Sequence, residues 1–160
     1  MGASHACGDT LVFVHADTIL PEGYEGLIEA ALSERKAAFG AFRLCIDPPS
    51  TGHRLIAGWA NARSRLFRLP YGDQAIFVRR SRYYQAGGFP DWPIMEDVGL
   101  VERLRKLGTF KLVNEPVRTS ARRWEKEHAV YTTVRNWSLF LRYKGGVSPH
   151  VLARHYSDKR

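Results

Sequence analysis

Apolar residues along this chain alternate between short runs and helical spacings. Thr10–Val14 is a short apolar run rich in β-branched residues, which predicts a strand buried on both faces, as in a parallel sheet. Pro21 then opens a helix. Phe39–Ile46 alternates between apolar and polar positions and predicts a second strand, and His53–Phe67 predicts a helix. The helical positions of that last segment include Leu55, Ile56, Trp59, Arg63, Leu66 and Phe67.

The alternation continues to the end of the chain. A turn at Pro70–Asp73 and a short strand over Gln74–Val78 precede a brief helix, which Ser81 would cap and Gly87-Gly88 would end. The remaining predicted elements are a helix from Glu96-Asp97 to Gly108, strands over Phe110–Val113 and Val117–Ala121, a long helix that ends at Gly145-Gly146, and a last helix that begins at Ser148-Pro149. Strands that alternate with helices predict an α/β fold in a single domain over residues 1–160.

The charge of the chain is concentrated near its C-terminal end. The net charge is +8, of which +7 falls within residues 118–160. A partner that meets this region is expected to be anionic: a diphosphate, an anionic lipid surface or nucleic acid. A solvated basic face is the alternative interpretation. Cys7 and Cys45 are far apart, which argues against a disulfide framework, and the small, polar N-terminal segment predicts a cytoplasmic protein.

One candidate site follows the first predicted strand. Asp17 lies just past the carboxyl end of that strand, and open α/β sheets bind ligands at this edge. Mg²⁺ typically takes one or two protein carboxylates together with the phosphates of its substrate, and Asp17 fits that role. Alternatively, Asp17 caps the next helix or shapes the turn before it.

A second candidate is the adjacent carboxylate pair Glu96-Asp97, at the start of an amphipathic helix. The helix dipole and the free amide donors of the first turn favour acids there. A sugar hydroxyl that attacks needs a base to take its proton, and an Asp within hydrogen-bond reach can supply one. Helix capping is the alternative interpretation of the pair.

Two further motifs carry polar or cationic side chains. In Ser120–Trp124 the guanidinium groups of Arg122 and Arg123 match phosphate oxygens, and Trp124 offers a face for a ring. A basic strand end with one anchoring Trp is the alternative. Tyr71-Gly72-Asp73-Gln74 is a loop of hydrogen-bonding side chains that could contact sugar or acceptor hydroxyls, or could be a polar turn.

Taken in order, these segments resemble glycosyltransferase family 2, the inverting enzymes with the GT-A fold. The matching segments are Phe13–Thr18, Gly87–Pro90, Met95–Val98, the Arg103–Gly108 helix end and Arg122–Trp124. The closer match is a bacterial subgroup described as radical-SAM/selenoprotein-associated transferases, which shows LHADT, LPYGDQ, GGFPDWP, MED and SARRW segments much like those here. The resemblance runs from about Gly8 to the C-terminus. It implies a partial GT-A (nucleotide-diphospho-sugar transferase) fold with a mixed, mostly parallel sheet flanked by helices.

The resemblance also implies a role for each matched residue. Asp17 would bind the metal, Mg²⁺ or Mn²⁺, and the nucleotide diphosphate, with His15 in the place of the family's first acid. Asp97, with Glu96 beside it, would be the catalytic base that deprotonates the acceptor. The residues expected near the diphosphate are Arg122, Arg123 and Trp124, and those expected to contact substrate are Tyr71, Gly72, Asp73, Gln74 and Trp92. The implied reaction is glycosyl transfer from a nucleotide-diphosphate sugar to a hydroxyl acceptor, a sugar or a lipid-linked molecule, by metal-assisted direct displacement.

The resemblance lacks the front of that fold. In this family the base and ribose bind to strands upstream of the segment that His15 and Asp17 match, and here that segment begins by residue 15. The chain is therefore expected to be the C-terminal catalytic and acceptor part of the fold, with Val12–Val14 left as a sheet edge open to self-association. Two alternatives stay open: an inactive fragment, and a basic module that binds nucleic acid or other anions. Nucleic acid is not an expected partner, because the sequence carries none of its recognition motifs.

The long C-terminal helix indicates peripheral membrane contact as a further expectation, which would place the protein at the inner face of the membrane. Its aromatic and basic residues together are typical of a lipid interface. Those residues are Tyr131, Trp137, Phe140, Tyr143, Arg135, Arg142 and Lys144. Val130, Val134, Trp137 and Leu141 share one face of the helix and are expected to pack on the core.

Overall fold

The computed structural model describes residues 2–122 and 129–157, without the side chains of residues 129–133 and 155–157. The described strands are β1 (Thr10–Val12), β2 (Thr18–Ile19), β3 (Ala37–Asp47), β4 (Phe77–Arg79) and β5 (Thr109–Ser120). The described helices are α1 (Gly2–His5), α2 (Tyr24–Leu32), α3 (Thr51–Phe67), α4 (Arg80–Gln85), α5 (Glu96–Arg105), α6 (Ala129–Lys144) and α7 (Pro149–Ser157). A 3-10 turn, Gly72–Gln74, lies between α3 and β4.

The five strands form one mixed sheet in the order β1-β4-β3-β5-β2. β3 and β5 pair in parallel over almost their whole length, and the other three pairings are antiparallel. The expected α/β class and mixed sheet are confirmed. The parallel part of the sheet is confined to a single pairing, although it is the longest one.

Helices cover both faces of the sheet, so the core has two halves. One half joins α2 and α3 to the side of β3 that carries Phe42, Leu44 and Ile46. The other half joins α4, α5 and part of α6 to the opposite side, around Phe39 and Ala41. Successive side chains of a strand point to opposite faces, and a strand covered on both faces is therefore apolar throughout. β3 is buried on both faces over 37–42, whereas Arg43 and Asp47 are exposed, so only its second half shows the alternation by which the sequence predicted it.

β1 and β2 follow each other in the chain but lie at opposite edges of the sheet. Residues 13–17 connect them, and we call these residues the crossing segment. β1, β3 and β5 run in the same direction, so their carboxyl ends lie together along one end of the sheet, which we call the carboxyl edge. β2 begins at the carboxyl edge, beside Thr119. The crossing segment must therefore pass over the amino end of β4 and the carboxyl ends of β3 and β5.

Several predicted boundaries are wrong for physical reasons. Thr10–Val14 was expected to be buried on both faces in a parallel sheet, but β1 is an edge strand antiparallel to β4, and Val14 is exposed. The two strands predicted over 110–113 and 117–121 are one strand, β5, whose pairing with β3 skips two residues between Val113 and Pro116. Such a bulge breaks the alternation on which the prediction depended.

Helix boundaries agree better with the sequence. α3 begins just before the predicted helix, at Thr51, where the side-chain oxygen of Ser50 accepts a 3.1 Å hydrogen bond from the N–H of His53. The last helix begins at Pro149 after Ser148, as predicted. Ser81, in contrast, does not cap α4, because that helix already begins at Arg80. Within the described part of the chain, no helix is both long and apolar enough to cross a lipid bilayer.

Candidate functional site

The crossing segment brings His15 against the 3-10 turn at Gly72. If Gly72 had a Cβ atom, that atom would stand 2.7 Å from Nε2 of His15 and 3.7 Å from Oδ2 of Asp97. An imidazole and a carboxylate therefore face the same point, and a Cβ there would crowd the imidazole but make only an ordinary van der Waals contact with the carboxylate. A Cβ contact below 3.0 Å would force the exposed His15 ring to move.

Asp97 lies in the first turn of α5, and two backbone amides hold its carboxylate. The N–H of Gly72 donates to Oδ2 at 2.8 Å, and the N–H of Val98 donates to Oδ1 at 2.8 Å. The bond from Gly72 ties the start of α5 to the 3-10 turn. The carboxylate is thus fixed in orientation by main-chain donors, which a side-chain rearrangement cannot remove.

Burial raises the pKa of Asp97 above its ordinary value, because removal from water disfavours the charged form. The two amide hydrogen bonds act in the opposite direction, since they favour the charged form. The negative charge of Asp73 raises the pKa further, and the positive charge of Arg63 lowers it. A carboxylate with a raised pKa is a better proton acceptor than an ordinary surface Asp.

The buried guanidinium of Arg63 packs against the residues that lead into the 3-10 turn. Arg63 of α3 is almost fully buried, and its Nε donates to the carbonyl of Leu69 at 3.0 Å. The guanidinium carbon lies 3.5 Å from the ring centroid of Tyr71, a cation–π contact. Burial lowers the pKa of Arg63, and the nearby charges of Asp73 and Asp97 oppose that shift. The cation thus compensates part of the negative charge gathered at the turn.

The side chain of Gln74 also holds the 3-10 turn in place, although it was predicted to contact substrate. It is fully buried, and its Oε1 accepts from Ser64 Oγ at 2.5 Å and from Arg63 Nη2 at 3.3 Å. Its Nε2 donates to the carbonyl of Phe42 at 3.1 Å. Both ends of the amide are therefore occupied inside the protein, and the predicted substrate contact for Gln74 is wrong: this side chain anchors the turn to β3 and α3.

A cavity of about 780 Å³ opens over these groups. Its wall includes six of the predicted site residues, His15, Tyr71, Gly72, Asp73, Asp97 and the exposed Glu96. Edge strand β1 forms another part of the wall, and Asn136 and Leu139 of α6 close it from above. A cavity of this size matches a drug-sized or nucleotide-sized ligand.

Asp17 and Arg122 lie outside the wall of this cavity but at the same edge of the sheet. The carbonyl of Asp17 accepts from the N–H of Ser120 at 3.2 Å, and Arg122 Nε donates to Ser120 Oγ at 3.1 Å. Asp17 follows His15 by two residues, so their Cα atoms are within about 7 Å of each other. Both Asp17 and Arg122 are exposed. Arg123 and Trp124 lie outside the described residues.

Trp92 is not among the residues that line the cavity at Asp97. Its ring packs beside Tyr143 with centroids 5.7 Å apart, and a Cβ on Gly99 would stand 2.6 Å from its Cζ3. Trp92 therefore lines a separate groove between α5 and α6, together with Glu102 and Lys144. The predicted substrate contact for Trp92 stays a prediction.

A metal would find few ligands here. Among residues 2–122 and 129–157, no three His, Cys, Asp or Glu side chains are gathered into a group that could hold a metal ion. Asp17 offers one exposed carboxylate. That donor set fits a Mg²⁺ or Mn²⁺ ion only if substrate phosphates and water supply the other ligands, which is the usual arrangement for Mg²⁺.

The sequence alone did not identify Arg63 and Ser64, which both donate to Oε1 of Gln74 and so support the 3-10 turn. The only signal was an arginine at a helical position otherwise occupied by apolar residues, and such an arginine is buried only when it is paired or hydrogen-bonded. Comparisons with known proteins add no assignment: no family model matches the chain, and no curated protein matches it significantly.

Proposed function

We propose that this chain transfers a glycosyl group from a nucleotide-diphosphate sugar to a hydroxyl acceptor by direct displacement. The observation that carries the proposal is Asp97: a partly buried carboxylate with a raised pKa, held by two amides in the wall of a large cavity at the carboxyl edge of the sheet. Ligands of open α/β sheets bind at this edge. The resemblance to the GT-A transferases supports the same role for the same residue.

In this reaction Asp97 takes the proton of the acceptor hydroxyl. The acceptor oxygen then forms a bond to the anomeric carbon of the sugar, while the bond from that carbon to the diphosphate oxygen breaks and its electron pair leaves with the diphosphate. Two amide donors keep Asp97 in place, so little reorganisation is needed when it accepts the proton.

Arg122 would bind the leaving diphosphate, because an exposed guanidinium at the same edge can donate two hydrogen bonds to phosphate oxygens. Asp17 would hold a divalent cation jointly with the phosphates. When bound, that cation offsets the negative charge of the diphosphate. His15, between Asp17 and the Gly72 turn, would orient the donor or acceptor by hydrogen bonding.

Two variants separate binding from chemistry. Calorimetry with uridine and guanosine diphosphates, each with Mn²⁺ or Mg²⁺, measures donor-side affinity, and release of the diphosphate from the matching sugar nucleotides measures turnover. Asp97→Asn should keep nucleotide affinity and lose most turnover, because only the proton acceptor is changed. Arg122→Gln should lower nucleotide affinity by about tenfold or more, the effect of one charged hydrogen bond.

Arg118→Gln is the matched control for Arg122→Gln. Arg118 is an exposed arginine of β5, the strand that ends two residues before Arg122, and its Nη1 lies 3.9 Å from Oδ2 of Asp47. We expect its loss to leave nucleotide affinity unchanged. Undiminished turnover in Asp97→Asn would remove the proposed base, and absence of nucleotide binding with either metal would contradict the donor assignment.

A further inference from the structure

The outer face of α3 is apolar although it meets solvent. Leu55, Trp59 and Leu66 are spaced four and seven residues apart and therefore share one face of the helix. The leucines are 71% and 72% exposed, and Trp59 is 47% exposed. The buried side of α3 carries small and polar residues instead. Those buried residues are Ala57, Ala60, Arg63 and Ser64.

The two faces of α6 are the reverse of what the sequence predicted: the face expected in the core is exposed, and residues expected at a lipid interface are packed. Val134 and Leu141 were expected in the core, yet they are 62% and 61% exposed. Phe140 and Tyr143, expected at a lipid interface, pack against the half of the core that contains α5. Tyr143 also donates a 2.8 Å hydrogen bond to Glu102, which fixes it against the protein.

These two apolar stripes join into one surface. Trp59 of α3 and Trp137 of α6 contact each other with ring centroids 5.5 Å apart. A shallow groove of about 400 Å³ lies between the helices at this contact, and a second groove continues it past Leu66 and Phe67. We call this surface the α3–α6 face, formed by Leu55, Trp59, Leu66, Phe67, Val134, Trp137 and Leu141.

The charge around the α3–α6 face has one sign. Neither Thr51–Phe67 nor Ala129–Lys144 contains a single Asp or Glu, although the chain has 16 acidic residues. Exposed arginines flank the apolar stripes, Arg54 and Arg65 on α3 and Arg142 on α6. The second groove adds Arg68, Arg105 and Lys144, of which Lys144 contacts Glu102.

We propose that the α3–α6 face docks on an anionic lipid surface. A patch of leucine, valine and tryptophan with a cationic margin is the arrangement of interfacial helices, whose apolar side enters the headgroup region while the basic side chains meet lipid phosphates. A second copy of the chain does not fit this face, because two cationic margins would then meet and repel each other. Complementarity of charge therefore selects the anionic membrane as the occupant.

Docking in this orientation brings the cavity at Asp97 close to the lipid. α6 contributes Asn136 and Leu139 to the cavity wall and Val134, Trp137 and Leu141 to the groove on the α3–α6 face. The two surfaces are therefore separated by about one helix diameter, roughly 10–12 Å. A substrate carried at the membrane surface would meet the cavity without leaving the interface.

Vesicle binding by the whole chain tests this proposal. Co-sedimentation with phosphatidylcholine vesicles that contain about 30% phosphatidylserine should be strong in low salt, weaker in high salt, and weak on pure phosphatidylcholine. Leu66→Glu should lower the partition coefficient by about tenfold or more, because the substitution removes an apolar contact and adds a repelled charge. Binding should also shift the emission of Trp59 and Trp137 to shorter wavelength.

The chain offers a matched control in Ile19→Glu. Ile19 is 70% exposed on edge strand β2, so this substitution makes the same chemical change at nearly the same exposure but outside the α3–α6 face. We expect it to leave vesicle binding unchanged, and thermal unfolding should show that both variants fold.

Three results would overturn the proposal. The first is no binding to the anionic vesicles in low salt. The second is equal loss of binding in Leu66→Glu and Ile19→Glu. The third is a wild-type dimer in sedimentation velocity that Leu66→Glu dissociates, since the face would then belong to a second copy.

Discussion

Replacing Gln74 with leucine tests whether this residue anchors the turn or contacts substrate. The substitution keeps the side chain close in size and removes an acceptor from Arg63 and a donor from the carbonyl of Phe42. Ser64 keeps a partner, because its hydroxyl also lies 2.9 Å from the carbonyl of Ala60. Two buried polar groups thus lose a hydrogen bond, and each such loss costs about 1–3 kcal/mol.

The free energy of unfolding should therefore fall by roughly 2–6 kcal/mol, a large share of the 5–15 kcal/mol typical of a folded domain. Urea unfolding followed by circular dichroism measures this change directly. Gln85→Leu is the control: Gln85 is exposed, accepts one hydrogen bond from Arg82 and should change stability by less than about 0.5 kcal/mol. If Gln74→Leu were as stable as Gln85→Leu but bound nucleotide sugar poorly, the anchoring role would be refuted.

Three further predictions concern the site and its supports. Because the pKa of Asp97 is raised in the folded protein, this group favours folding at low pH, and that contribution is lost as pH rises through its folded pKa; the free energy of unfolding of wild type should therefore rise relative to that of Asp97→Asn as the pH is lowered from 7 towards 4 in urea titrations. Gly72→Ala should weaken nucleotide binding by displacing the ring of His15, and in a His15→Ala background the same change should have little further effect on calorimetric affinity. Gly99→Ala should lower the free energy of unfolding by about 1–3 kcal/mol, because its Cβ would meet Trp92. Gly58→Ala, in open space in the middle of α3, should raise the free energy of unfolding by about 0.5–1 kcal/mol. Equal shifts of the thermal midpoint in the two variants would contradict both expectations.

The sequence predicted the regular elements well wherever periodicity was undisturbed. β3 and α3 were found with almost their observed boundaries, because β3 alternates in its second half and the apolar residues of α3 keep a helical spacing. β5 was divided in two by its bulge, and the two-residue β2 is too short to show any period. β1 was found, but its antiparallel pairing to β4 depends on contacts distant in the chain, which local pattern does not encode.

For the candidate site, sequence identified the residues at the cavity better than it identified their roles. His15, Gly72 and Asp97 do face one point, which motif order alone did not establish. Gln74 was assigned to substrate because a polar residue in a loop is usually exposed, yet here a buried arginine recruits it into the core. Helical spacing also assigned Val134 and Leu141 of α6 to the core although both are exposed, since spacing shows which residues share a face but not which face meets the sheet.

Both edge strands of the sheet, β1 and β2, come from one stretch of ten residues, 10–19, and the three inner strands β4, β3 and β5 lie between them. Neither edge strand has a surface to pair with until β3, β4 and β5 have assembled from residues that follow later in the chain. Because contacts between residues far apart in the chain form late, we expect this stretch to join the sheet in the last step of folding. His15 lies within it, so a partly folded chain would hold Asp97 without the imidazole that faces the same point, and the complete cavity would exist only in the native state.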